Sequence, residues 1–147
     1  MDPEARKKVL DGMIKFLTDK GFGDKPFNVS AYIKVKPECV EEVLKICAQE
    51  VADTQKDPGC IHYELNQSLA DPTLILAYET WTNAYTFLDH VVNEHHQAFA
   101  KIMDRCAEGH PTYHFCVPSS EALKAFQEKK ETEGETKVTE NETKVSS

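Results

Sequence analysis

The side chains best suited to chemistry are Glu79, Trp81, His90 and His95, which lie close together in the second half of the chain. Because an unperturbed imidazole titrates near pH ~6.5, a histidine can act as a general acid or base at neutral pH. The Trp81 indole could stack on a planar aromatic ligand and donate its N–H. Glu79 stands between Ala77 and Trp81 on one strand face, so its carboxylate is expected to be partly buried and to need a histidine, an arginine or a ligand hydroxyl as partner.

Each of these residues also has a purely structural interpretation. His90 lies on the flank of an apolar helix stripe and could be a surface or capping histidine, while His95 lies on an inward stripe and could be a hydrogen-bonded core residue. Trp81 could be a large core or dimer-interface residue. His96 is expected to point outward. Histidines five or six residues apart are poorly spaced for a metal site, and no carboxylate or cysteine completes a set in the sequence, so we expect no metal.

The elements that must position these residues follow from hydrophobic periodicity and from turn residues. Asp57-Pro58-Gly59 and Asp71-Pro72 mark turns. The pattern predicts helices over 3–20 and 37–55, strands over 27–35, 60–67 and 74–81, two helices separated at Asn93 and ending at Gly109, and a strand over 112–117. The order β-α-β-β-α-β predicts an α+β fold, the ferredoxin-like split plait, with a four-stranded antiparallel sheet and helices on one face.

Composition divides the chain into three parts and excludes several classes of partner. We expect a helical extension over 1–24, one domain over 25–118 and a charged, largely disordered tail over 119–147. The net charge of −8 and the lack of a basic stripe exclude nucleic acid and anionic lipid surfaces as expected partners. No apolar window could span a membrane, the first residues show no signal-peptide pattern, and the five cysteines lack CxxC spacing, so the expected location is the cytoplasm.

The two faces of the predicted sheet differ in polarity. One is almost wholly apolar and is expected to receive the helices: Val29, Ala31, Ile33, Ile61, Leu65, Leu74 and Leu76. The other is mixed, and its large apolar members are expected to be covered by a second copy of the chain in a homodimer. That mixed face is predicted to carry Asn28, Ser30, Tyr32, His62, Glu64, Ile75, Ala77, Glu79 and Trp81.

Residues 27–117 resemble the antibiotic biosynthesis monooxygenase family of dimeric α+β barrels. The motifs that carry the resemblance stand in order: Val35-Lys36-Pro37, Asp57-Pro58-Gly59-Cys60-Ile61-His62-Tyr63-Glu64, Asp71-Pro72, Tyr78-Glu79-Thr80-Trp81, His90, and His95-His96-Gln97-Ala98-Phe99. The family includes cofactor-independent oxygenases of quinols and anthrones, haem-degrading enzymes, isomerases and members without an established activity. The resemblance therefore implies the fold more strongly than a reaction.

The resemblance implies a cofactor-independent monooxygenase of small aromatic, quinol-type substrates, with a histidine as general base and O₂ as oxidant. His90 or His95 would be the base, Glu79 would orient it, and Trp81 would hold the ring. Further hydrogen bonds and ring contacts to the substrate would come from Asn28, Ser30, His62, Tyr63 and Tyr78. No cofactor is expected. Haem bound near Asn28, Trp81 and His90, an isomerase, or a non-catalytic binding or scaffold protein remain alternatives.

Overall fold

A computed structural model describes residues 2–145. The elements are α1 (Pro3–Asp19), β1 (Phe27–Lys34), a short 3-10 turn (Pro37–Cys39), α2 (Val40–Thr54), β2 (Cys60–Gln67), β3 (Leu74–Trp81), α3 (Ala84–Val92), α4 (Glu94–Cys106), β4 (Thr112–Cys116) and α5 (Ser119–Val145). The bounds of β2 and β3 agree with the sequence prediction, and the remaining elements of residues 3–117 agree to within a few residues. The predicted α+β order is confirmed.

The four strands form one antiparallel sheet in the order β2-β3-β1-β4. The hairpin of β2 and β3 lies on one side of β1, and β4 returns to pair with the other side of β1. This is the strand order of the ferredoxin-like plait. A register shift between Cys60 and His62 shows that β2 begins irregularly, directly after the Asp57–Gly59 turn.

The register corrects the predicted sheet faces. Val29 pairs with Glu79, and Phe27 pairs with Trp81, so Glu79 and Trp81 share the helix-covered face. Leu76 pairs with Tyr32 and therefore lies on the open face. Strand β3 alternates between two apolar sets, so its pattern alone could not show which set faces the helices. The members of β3 on the helix-covered face are Ile75, Ala77, Glu79 and Trp81, and those on the open face are Leu74, Leu76, Tyr78 and Thr80.

The core lies between the sheet and helices α2 and α4. Its buried apolar cluster comprises Ile33, Val35, Cys39, Val43, Cys47, Ile75, Phe99, Met103 and Cys106. A second, aromatic group meets at the other end of the sheet, where Phe87 packs edge-on against Phe27 and lies near Phe115 and Trp81. The candidate site lies beside this aromatic group.

Helix α1 packs on the same compact unit, which spans Met1–Cys116. Asp2 caps the helix by accepting from the backbone N–H groups of Glu4 and Ala5. Leu17 is buried, Phe16 contacts Phe115, and the Arg6 guanidinium donates to the carbonyl of Val91. The extension is therefore attached to the domain through both apolar and polar contacts.

The second compact unit begins at Val117 and contains α5. The sequence predicts a largely disordered tail here. In the structure the segment is helical, and every side chain from 119 to 140 is exposed. Glu, Lys and Ala favour helices, but a helix without a buried face adds nothing to a core. Within residues 2–145, no helix is long and apolar enough to cross a lipid bilayer.

Candidate functional site

The candidate site is assembled around a break between α3 and α4. Asn93 is extended, ends α3 and caps α4, where its side-chain oxygen accepts from the backbone N–H of His96. Its amide nitrogen also donates to Oδ2 of Asp57, 3.0 Å away. The break places His90 in the last turn of one helix and His95 and His96 in the first turn of the next. One asparagine thus ties both helices to the turn after α2.

The buried His90 and the partly buried Asp57 form a hydrogen-bonded pair. Nδ1 of His90 lies 2.9 Å from Oδ2 of Asp57, and the His90 side chain is only 1% exposed. Burial and the nearby His96 lower the pKa of His90 to about 4, so the imidazole is neutral at pH 7. Because an ionised carboxylate only accepts hydrogen bonds, Nδ1 carries the proton and Nε2 carries the lone pair. Nε2 is buried and has no hydrogen-bond partner among the described residues.

Two further histidines surround the carboxylate of Glu50, which is buried on the inner side of α2. His95 donates from Nδ1 to Oε2 of Glu50 at 2.9 Å, and His96 approaches Oε1 with its own Nδ1 at 2.8 Å. Burial opposes the ionisation of Glu50, but these hydrogen bonds outweigh it and lower its pKa. The expectation that His96 points to solvent is wrong, because its side chain is only 20% exposed and its ring centroid lies 4.3 Å from that of His90.

His95 bridges the two carboxylates. Its Nε2 lies 2.9 Å from Oδ2 of Asp57 while its Nδ1 contacts Glu50. Burial disfavours the imidazolium form, but the two carboxylates outweigh burial and raise the pKa of His95. The hydrogen bonds from His90 and His95 likewise outweigh burial and lower the pKa of Asp57. The cluster therefore contains two carboxylates whose pKa is lowered, Glu50 and Asp57, and one histidine whose pKa is raised, His95.

Trp81 and Glu79 form a separate pair at the end of β3. Nε1 of Trp81 donates to Oε2 of Glu79 at 2.8 Å, and both side chains are buried. Burial raises the pKa of Glu79 to about 7 despite this hydrogen bond. The centroid of the indole ring lies 4.7 Å from that of the His90 ring, and the interplanar angle is 32°. The hydrogen-bond partner of Glu79 is thus the Trp81 indole, which packs beside His90. The carboxylate that orients His90 is that of Asp57.

A groove of ≈ 630 Å³ leads toward this cluster from the side of α1. Its size is within the range typical of small-molecule sites. Its lining includes His96, so the groove reaches a residue whose ring lies against His90. Apolar side chains of α1 and polar side chains of α4 face each other across it: Val9, Leu10, Met13, Gln97, Lys101 and Asp104.

The predicted site residues divide between the two faces of the sheet. The structure brings His90, His95, Trp81 and Tyr63 together, with the Tyr63 ring 5.5 Å from that of His90. The remaining candidates for substrate contacts lie on the open face, as the strand register shows: Asn28, Ser30, His62 and Tyr78. There His62 pairs with Glu64, and Thr80 donates to Asn28. These four side chains are separated from the histidine cluster by the sheet.

The same division argues against haem. Asn28 is on the open face, whereas Trp81 and His90 are buried on the other side of the sheet. A haem group cannot contact all three through an intact sheet. The residues present therefore do not fit the haem arrangement that the resemblance offered.

Three residues of the cluster were not among the predicted site residues: Glu50, Asp57 and His96. Glu50 follows Val43 and Cys47 on the inward stripe of α2. A carboxylate on an apolar helix face indicates a buried polar site, so the sequence pattern could have identified Glu50. Asp57 reads as turn scaffold, and its histidine partner is 33 residues away. The sequence alone shows no carboxylate beside the histidines, but in the structure Glu50 and Asp57 both contact them. Ligand atoms of Glu50, His90 and His96 all lie within 4.8 Å of one another.

Comparison with known proteins identifies the domain. The family model for antibiotic biosynthesis monooxygenase (ABM) matches residues 26–102, which is about half of the chain and excludes α1 and α5. A curated relative, the uncharacterized protein sll1783 of Synechocystis sp. (strain ATCC 27184 / PCC 6803 / Kazusa), is 32% identical over 60 residues, which are 41% of each chain. The matched segment thus spans less than half of that relative.

Solved structures share the fold. The crystal structure of an antibiotic biosynthesis monooxygenase superposes with a TM-score of 0.59 at 24% identity, covering 63% of this chain and 99% of the other. A conserved protein from Methanosarcina mazei Go1 gives a TM-score of 0.59 at 25% identity, covering 63% and 92%. Both cover nearly the whole of the other protein, so this chain contains a complete domain of that fold with additional segments.

Proposed function

Since the chain belongs to the antibiotic biosynthesis monooxygenase family, we propose that it is a cofactor-independent monooxygenase of small aromatic, quinol-type substrates, with O₂ as oxidant and His90 as general base. The observation that carries the proposal is the unpartnered Nε2 of His90. This atom is buried and belongs to a neutral imidazole whose Nδ1–H donates to Asp57. A neutral imidazole whose second nitrogen has no partner is the form of histidine that can receive a substrate proton.

The proposed reaction begins when Nε2 of His90 accepts a proton from the hydroxyl of a phenolic substrate. Asp57 stabilises the imidazolium that forms. The electron-rich anion then transfers an electron to O₂, the two radicals combine to a peroxide anion, and this anion takes the proton back from His90 to become a hydroperoxide. Loss of water from the hydroperoxide gives a quinone. One phenol and one O₂ thus yield one quinone and one water, and the substrate supplies all the electrons.

The surroundings of His90 support this assignment of roles. Trp81 and Tyr63 place aromatic rings beside the imidazole, where they could hold a planar substrate. Glu79 fixes the indole by accepting its N–H. The groove that reaches His96 is large enough for a bicyclic phenol to approach. Burial of His90 limits the access of water to reactive intermediates.

The test is O₂ uptake by chelator-treated protein with a panel of naphthols, hydroquinones and anthrones. We expect uptake with at least one member, one quinone formed per O₂ consumed, and loss of uptake in His90→Gln. His110→Asn is the matched control, because His110 is exposed in the loop between α4 and β4. Failure of every panel member, or full uptake by a folded His90→Gln variant, would count against the proposal.

We also propose that the protein is a homodimer that pairs through the open face of the sheet. Family membership supports a dimer, and this face carries large side chains that are exposed in the single chain. Tyr32 is 45% exposed and Tyr78 is 42% exposed, beside the partly buried Leu74 and Leu76. Covering such a patch by a second copy removes apolar surface from water.

A cytoplasmic location is the corresponding proposal for the compartment. All five cysteines are free, and three of them are buried: Cys39, Cys47 and Cys106. Burial raises the pKa of Cys47 to about 11, so this thiol stays protonated and unreactive. Free, buried thiols of this kind are typical of proteins in a reducing compartment.

A further inference from the structure

The cluster around His90 contains a set of metal-ligating side chains that family membership does not account for. One atom each of Glu50, His90 and His96 lies within 4.8 Å of the others. Bonds of about 2.1 Å to one ion would require these atoms to move closer together. The three residues come from three elements, α2, α3 and α4, and meet between the helices and the sheet.

A second observation indicates that a ligand belongs here. Nε2 of His90 is buried, and no described residue donates to it or accepts from it. An unpaired buried polar atom costs free energy, so native proteins usually give it a partner. Nδ1 is already occupied by Asp57, which leaves Nε2 as the nitrogen of His90 that can bind a ligand.

We propose that Glu50, His90 and His96 form a binding site for a divalent transition-metal ion, with Zn²⁺ and Fe²⁺ as the ions that suit the donors best. Two imidazoles and one carboxylate are the ligands of many catalytic zinc sites and of non-haem iron sites. Both kinds of site leave coordination positions for water or a further ligand.

The surrounding residues complete the site in the way that metal centres require. Asp57 accepts from Nδ1 of His90, which fixes the tautomer that directs the Nε2 lone pair to a metal. His95 donates to Oε2 of Glu50 and leaves Oε1 for the ion, once the hydrogen bond from His96 is displaced. Asp57 itself already contacts three residues, His90, Asn93 and His95, so it fits the role of an outer partner better than that of a ligand.

Metal binding and the proposed oxygenase reaction cannot occur together, because both use Nε2 of His90. A metal bound to Nε2 of His90 uses the lone pair that the base needs. The metal-loaded protein is therefore expected to be inactive in the cofactor-free reaction, and the metal acts as an inhibitor. Metal binding is measured without substrate, so the two proposals can fail independently.

The experiment is isothermal titration of chelator-treated full-length protein with Zn²⁺, together with the visible absorption of Co²⁺ added in place of Zn²⁺. We expect one ion per chain and the d–d bands of a low-coordinate Co²⁺ site. Glu50→Gln and His96→Asn each remove one ligand, and each is expected to weaken Zn²⁺ binding by at least about 100-fold. Asp57→Asn removes only the outer partner and is expected to weaken binding roughly 10–100-fold.

His110→Asn is the control, because it removes an exposed histidine from the loop between α4 and β4 and should leave Zn²⁺ affinity unchanged. Circular dichroism of each metal-free variant separates the loss of a ligand from the loss of the fold. His96→Asn changes a partly exposed side chain, so it remains informative if Glu50→Gln does not fold. No stoichiometric Zn²⁺ binding by the wild-type chain would overturn the proposal, and so would wild-type affinity in either folded ligand variant.

Discussion

Nδ1 of His90 donates a hydrogen bond to Oδ2 of Asp57 over 2.9 Å, although 33 residues separate the two in the chain. The pair joins the last turn of α3 to the turn after α2. Through this bond a carboxylate selects the tautomer of a buried imidazole. The predictions about activity depend on this relationship.

Replacing Asp57 by Asn is expected to lower kcat for O₂ uptake by roughly 10²-fold or more, within the range of general acid–base effects. The amide can donate to Nδ1, which would place the proton on Nε2 and remove the base. It also cannot stabilise an imidazolium as a carboxylate does. Steady-state kinetics on the panel substrate measure the effect. Asp89→Asn is the control, because Asp89 is exposed on the same helix as His90. An Asp57→Asn enzyme with wild-type kcat would show that the pair is only structural.

Ionisation of Glu79 is expected to lower the free energy of unfolding as pH rises. Its folded pKa of about 7 lies above the value of 4.5 for an unperturbed glutamate. Between these two values the folded chain holds a proton that the unfolded chain has lost, so the stabilisation is complete below about pH 4.5 and is lost by pH 7. The difference amounts to a few kcal/mol at most.

Urea unfolding of the wild type and of Glu79→Gln at pH 5 and pH 8 measures this contribution. Glutamine still accepts from the Trp81 indole but does not ionise, so the variant should lose less stability than the wild type between the two pH values. Glu38→Gln is a matched control, because Glu38 is exposed in the short 3-10 turn before α2. Equal pH dependence in the wild type and in Glu79→Gln would contradict the raised pKa.

Gly59 is expected to tolerate no side chain. Its φ of +81° is unfavourable for other residues, and an added Cβ would collide with the side chain of Thr86. Gly59→Ala should therefore lower the free energy of unfolding by more than the ~1–2 kcal/mol of backbone strain alone. It should also lower activity, because the collision disturbs the turn that carries Asp57. Gly109→Ala separates the two effects, since Gly109 has a φ of +75° but open space around its Cβ position. Similar losses in the two variants would show that the contact with Thr86 is unimportant.

The elements of this domain could be predicted from the sequence because local signals specify them. The alternation of apolar residues fixed β1, and Asp57-Pro58-Gly59 together with Asp71-Pro72 bounded β2 and β3. The face of β3 could not be predicted, because Ile75 and Leu76 are equally apolar and only pairing with β1 decides between them. Glu79 and Trp81 were consequently placed on the wrong side of the sheet.

The site could be predicted only in part. His90, His95 and Trp81 were identified from their residue types and from the resemblance, and the structure brings them together. The orienting carboxylate was assigned to Glu79, whereas Asp57 has that position in the structure. Helical spacing predicts that His96 points outward, but the break at Asn93 starts a new helix and turns His96 toward Glu50. Such contacts depend on how α2 packs against α4, which the sequence does not show locally.

The open face of the sheet provides the test of the homodimer. Tyr78 is 42% exposed there and stacks edge-on with His62. Tyr78→Lys places a charge in the proposed interface, where burial without a partner is costly, so the dimer should dissociate at higher concentration than the wild type does. Sedimentation velocity over a range of concentrations measures the shift. Tyr85→Lys is the control, because Tyr85 is 58% exposed on α3 and lies outside the sheet. A wild-type chain that sediments as a monomer at every concentration would contradict the dimer, and a Tyr78→Lys dimer as strong as the wild type would place the interface elsewhere.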